Sequence, residues 1–171
     1  MGKRYALNWA LWIAVVNGVY CGLYAMSPLA QYGLVWATYV AFPIYFLAGA
    51  KRKDTPNFIC SSILGVVWGL IFLWCIKMVG NLGASNALAT GFGVMIIDFI
   101  LIFVHFAFTE NTFFNKVPAM FGGVAVTFSQ GGKYILPIMI TLILGVLLAL
   151  LSNEGQQFLT KDGHWKWIGS K

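Results

Sequence analysis

Asp98 and His105 are the residues of this chain best placed to do chemistry. They interrupt an otherwise uncharged run over residues 78–108, long enough to cross a bilayer. A charged side chain at mid-membrane costs on the order of 3 kcal/mol on insertion scales, so Asp98 must face protein or water, or be protonated. His105 follows seven residues later, two helical turns along the same face. Together they could relay a proton or form a cation-attracting side of a pathway. The structural alternative is a carboxyl satisfied by hydroxyls or amides of a neighbouring helix, stiffening the bundle. No His-x-x-x-His, Gly-x-Ser-x-Gly, phosphate-cradling loop or paired carboxylates accompany them. No catalytic residue is therefore assigned, and the chain is not expected to be an enzyme. Cys21, Cys60 and Cys75 fall in apolar runs without His or Cys neighbours at ligand spacing, so no metal or other cofactor is expected.

The elements that must hold these residues are helices in a membrane. Hydrophobic residues make up 60% of the 171-residue chain and charged residues 9%, against roughly 25% charged in soluble domains. A helix needs about 20 apolar residues to cross the hydrocarbon core. The expected fold is all-α, a polytopic membrane bundle of six transmembrane helices arranged as two inverted three-helix repeats. The spans fall near 5–26, 29–48, 57–76, 85–108, 117–132 and 134–151, forming a transmembrane domain over 1–151. A cytoplasmic tail, 152–171, follows. The first span has too long an apolar run, and no convincing cleavage site, for a removable signal peptide. Pro43 lies inside the second span and frees a backbone carbonyl. The fifth is short, about 24 Å at 1.5 Å per residue. It carries Pro118, Gly122-Gly123, Thr127, Ser129 and Gln130, and is either a tilted crossing or a re-entrant segment.

The repeat shows at the ends of the second and fifth spans. Phe46, Gly49 and Lys51 recur as Phe128, Gly131 and Lys133, each 82 residues on. A proline follows each set (Pro56, Pro137), and Ile63-Leu64-Gly65-Val66 recurs as Ile143-Leu144-Gly145-Val146. With three spans per half, the second half is inserted upside down. Inverted repeats of this kind build channels and transporters, with the solute path near the midplane where the halves meet.

Basic residues set the orientation. Six spans place both termini on one side with the loops after spans two and four. That side receives Lys3, Arg4, Lys51, Arg52, Lys53, Lys116, Lys161, Lys166 and Lys171, nine of the eleven, leaving Lys77 and Lys133 opposite. Positive charge stays cytoplasmic, so both termini are expected inside. The net charge of +6 then reflects topology and contact with anionic membrane lipid, and no nucleic-acid partner is expected. Trp165 and Trp167 beside Lys166 read as an interfacial anchor.

Candidates for a solute pathway are Asp98, His105, Thr127, Gln130 and the repeat-related pair Phe46 and Phe128. Gly18-x-x-x-Gly22 and Gly65-x-x-x-Gly69 let helices approach closely, either within the chain or between subunits. One six-helix unit encloses only a narrow passage, so a homo-oligomer with one passage per subunit is expected.

The stretch Val117-Pro118-Ala119-Met120-Phe121-Gly122-Gly123-Val124-Ala125-Val126-Thr127-Phe128, with Gly131-Gly132-Lys133 and Leu136-Pro137, resembles a bacterial inner-membrane family typified by YcdZ. That family is defined as a domain of unknown function. The resemblance in length and hydrophobic layout covers roughly residues 10–150. It implies a bacterial inner-membrane location and supplies no activity, substrate or site. Lys51-Arg52-Lys53-Asp54 departs from it by its charge. Three functions stay open: a channel or facilitator for a small neutral or weakly basic solute, a proton-coupled transporter using Asp98 and His105, or a non-transporting membrane partner or assembly protein.

Overall fold

Ser27 stops the first helix with its side chain. Its Oγ donates to the Tyr24 carbonyl (2.8 Å) and accepts from the Leu29 N–H (3.2 Å). Pro28–Tyr32 therefore leave as a 3-10 turn, and left-handed Gly33 (φ 63°) redirects the chain before the next helix begins. The computed structural model describes residues 2–166, in which six α-helices occur: α1 (Lys3–Met26), α2 (Val35–Leu47), α3 (Thr55–Asn81), α4 (Asn86–Phe108), α5 (Val117–Ser129) and α6 (Ile135–Glu154). The expected stretch 29–48 is thus divided into a turn and a 13-residue helix, and α2 continues through Pro43 without ending there. At 13 residues α2 and α5 each rise about 20 Å, short of the roughly 30 Å hydrocarbon core. The other four helices are long and apolar enough to cross a membrane.

Each short helix ends in the same backbone figure. In α2 the Gly49 N–H bonds the Phe46 carbonyl and the Ala50 N–H the Tyr45 carbonyl; in α5, Gly131 bonds Phe128 and Gly132 bonds Thr127. All four turn residues have positive φ: Gly49 89°, Ala50 40°, Gly131 56° and Gly132 76°. The left-handed conformation closes the orphan carbonyls of a helix end and is easiest for glycine. This explains why the 82-residue offset is visible in glycines.

The packing exchanges the halves. α3 lies mainly against α5 and α4, while α6 lies mainly against α2, then α3, and less against α1. Each short helix is therefore bedded on a long helix of the other half. Glycines make the beds. A Cβ on Gly65 of α3 would overlap the Met120 carbonyl of α5, and one on Gly145 of α6 would overlap the Thr38 carbonyl of α2. Thr38 and Met120 are themselves 82 residues apart. Gly123 is pressed onto the Ser62 carbonyl, and Gly93 of α4 onto Ile76 of α3. Around these contacts two apolar cores form. One gathers Leu34, Ala41, Tyr45, Ile138, Leu142 and Val146; the other gathers Phe72, Ile97, Leu101, Met120 and Val124.

α1 is held differently. Tyr24 is its one buried residue, and a methyl group at Gly18 or Gly22 would meet nothing within 4 Å. Of the two glycine pairs, the one in α3 packs inside the chain and the one in α1 does not. Instead, indoles tie α1 to α6: Trp9 Nε1 donates to the Ser152 carbonyl (3.1 Å) and Trp12 Nε1 to the Leu151 carbonyl (3.0 Å). Carbonyls in a helix's last turn lack intrahelical partners, so these indoles cap α6 from the side.

Beyond α6 the tail is docked. It closes an antiparallel bridge between Leu159 and Trp165 and lies against the start of α1, where Asn8 Nδ2 donates to the Gly163 carbonyl (2.8 Å). Arg52 grips Glu154 with two guanidinium bonds, joining the α2–α3 loop to the end of α6. Trp167 and Lys171 lie outside the described residues.

Candidate functional site

α4 carries both titratable residues, and its packing separates them. Its buried ridge is Ala89, Gly93, Ile97, Leu101 and His105, every fourth residue. Four residues advance a helix by about 400°, so this ridge drifts by about 40° per step. Asp98 shares its direction with His105, but at its own level the ridge points toward Ile97. His105 is therefore buried at 3% exposure, whereas Asp98 is half-buried at the edge of the outer face.

His105 packs edge-on against Trp68 of α3, ring centroids 6.1 Å apart. Neither imidazole nitrogen finds a hydrogen-bond partner among the described residues. The same holds for Trp68 Nε1 and for the Ser62 hydroxyl, both on α3. A buried polar group left so costs about 1–3 kcal/mol. His105 also lines a pocket of about 390 Å³ with Phe106, Glu110, Asn115, Lys116 and Val117, where α4 ends and α5 begins. The loop there is set by Asn57, whose Nδ2 donates to the Thr112 carbonyl and to Asn115 Oδ1 (both 3.1 Å). The Ser61 hydroxyl receives the Lys116 N–H (3.1 Å), and the Lys116 ammonium stands 5.5 Å over the Phe58 ring.

Asp98 lies in a second, wider groove of about 660 Å³ with Met95, Phe99, Ile102, Phe103, Phe106 and Ala107, all of α4. Phe106 borders both spaces. Otherwise the two residues expected to act together sit in different surroundings.

The four remaining pathway candidates are not brought together either. Phe46 stacks on Trp9 and Phe42 at 5.8 and 5.4 Å, and it borders the first core. Phe128 meets Phe72 edge-on at 5.7 Å and borders the second. Thr127 is fully buried, with its hydroxyl donating to the Gly123 carbonyl (2.9 Å), and it fills the space beside Gly69. Gln130 is the C-terminal cap residue of α5 and is half-buried. A further polar seam joins α1, α2 and α6. Tyr20 bonds Thr38, Tyr24 meets Thr141 at 3.4 Å, and Asn17 reaches the Ser152 hydroxyl at 3.4 Å. No spacing rule marks Asn17, Thr38 and Thr141 beforehand. Their polarity inside apolar runs is the one signal.

Among known families, the one described as a protein of unknown function, DUF1097, matches residues 10–157. No curated protein and no solved structure matches the chain.

Proposed function

Since the chain belongs to DUF1097, a family of unknown function, we propose from its own geometry that it is a channel or facilitator for a small neutral or weakly basic solute. The observation that carries this is the reciprocal seating of Gly65 against Met120 and of Gly145 against Thr38. Two three-helix halves that exchange their short helices in this way have the plan of repeat-built transport proteins, in which solute crosses where the halves meet. The unpartnered polar atoms of Ser62, Trp68 and His105 on the α3–α4 side supply hydrogen-bonding stations for a solute that has shed water. The seam itself is filled by Tyr45, Leu101 and Met120, so this is a facilitator that rests closed and conducts when its halves part.

In this reading the protein sits in a bacterial inner membrane, the four long helices span it, α2 and α5 complete their crossings with the turns that flank them, and both termini are cytoplasmic. It works as a homo-oligomer, each copy conducting; the open Gly18–Gly22 face of α1 permits close helix approach. The proton-coupled alternative rests on Asp98 and His105 working as a pair, and their separation withholds geometric support from it. Proteoliposomes offered water, urea, glycerol, amines and short acids, with and without a pH gradient, test the proposal. Flux independent of the gradient is expected. Gradient-driven accumulation would favour the coupled transporter, and absence of flux for every solute would favour the non-transporting partner.

A further inference from the structure

We propose that the Asp98 groove on the outer face of α4 is a binding site for a lipophilic organic cation, an ammonium or phosphonium carried on an apolar body. Three observations converge. Asp98 stands about midway along a 23-residue apolar helix. Among the described residues it has no hydrogen-bond or ion-pair partner, the one salt bridge being that of Arg52 with Glu154. Its surroundings are aromatic and apolar, with Phe99, Phe103 and Phe106 beside Met95 and Ile102.

In its ionised form a carboxylate at that depth needs a counter-charge, and the described residues supply none there. Phe99 and Phe103 are stacked, centroids 6.3 Å apart and planes 9° from parallel. Phe99, Phe103 and Phe106 remain more than half exposed. Aromatic faces attract cations through the ring quadrupole, most strongly where water is excluded. A carboxylate with adjoining phenyl rings therefore selects positive charge, and the apolar lining selects a ligand with hydrocarbon around that charge. The groove is built from α4 alone and opens outward, away from the bundle. Its ligand arrives from the hydrocarbon phase and must be membrane-soluble. A small hydrophilic amine or an inorganic cation fails that requirement.

The site stands on the groove alone, whether or not the chain moves a solute, so binding and flux measurements fail separately. The test uses the full chain in nanodiscs and two probes of matched shape and opposite charge, tetraphenylphosphonium and tetraphenylborate. Saturable binding of the phosphonium and only unsaturable partitioning of the borate are expected. Asp98→Asn should weaken phosphonium binding at least tenfold. Phe103→Leu, which leaves the carboxylate in place, should weaken it several-fold, so the proposal does not hang on one variant. Equal phosphonium binding by wild type and Asp98→Asn overturns the site, as does saturable binding of the borate or of neither probe. A Met95→Cys variant that forms disulfides between copies in high yield also overturns it, because the groove is then covered by a second copy of the chain.

Discussion

Gly65 is seated so closely against Met120 that a methyl group in place of its hydrogen would overlap the Met120 carbonyl oxygen. The opposing surface is backbone and cannot rotate away. Gly145 meets Thr38 in the same manner, and Gly123 meets Ser62. Each such glycine sets the distance between a long helix and the short helix bedded on it.

Alanine at Gly65, Gly123 or Gly145 should therefore lower stability by about 1–3 kcal/mol or more, the range for overpacked cores. Gly18→Ala and Gly22→Ala should leave the monomer's stability nearly unchanged, since nothing lies within 4 Å of either position. Thermal unfolding in detergent checks both classes. Equal losses at Gly18 and Gly65 would contradict the packing described.

The inverted arrangement predicts that the turns after α2 and α5 lie on opposite sides of the membrane. Single cysteines replacing Lys51 and Lys133, in a background with Cys21, Cys60 and Cys75 removed, should label from opposite faces of oriented vesicles with a membrane-impermeant maleimide. Lys51→Cys is expected to react from the cytoplasm. Labelling of both positions from one side would leave the two halves parallel.

His105 holds two buried ring nitrogens without partners among the described residues. Leucine there removes that desolvation cost while keeping most of the volume against Trp68. His105→Leu should hold or raise the unfolding midpoint, by up to about 1–3 kcal/mol of stability, while reducing flux if the imidazole is a station for solute. A clear loss of stability would mean that the ring makes a polar contact in the membrane.

The fold was more legible in the sequence than the site. Apolar run lengths locate six helices, and Gly49 and Gly131 betray the repeat because left-handed turns restrict residue choice. The division of residues 29–48 was less visible, since the Ser27 side chain that ends α1 could equally have capped a longer second helix. The pairing of Asp98 with His105 illustrates a different limit. A seven-residue spacing fixes their common direction on α4, but burial follows the contact ridge, which drifts along the helix toward Ile97 at one level and His105 at the other. Likewise Gly18 and Gly22 spell the same small-residue pattern as Gly65 and Gly69. Only the arrival of α5 beside α3 separates the two cases.

Because each short helix beds on a long helix from the other half, neither half of the polypeptide is a folding unit. α2 and α3 emerge from the ribosome well before α6 and α5 exist to receive them. The nascent chain must hold these surfaces open in the bilayer until synthesis is nearly finished, when the core can close in one late step. Two separately expressed halves, cut in the α3–α4 turn, are each other's only template, and they should accumulate together or not at all.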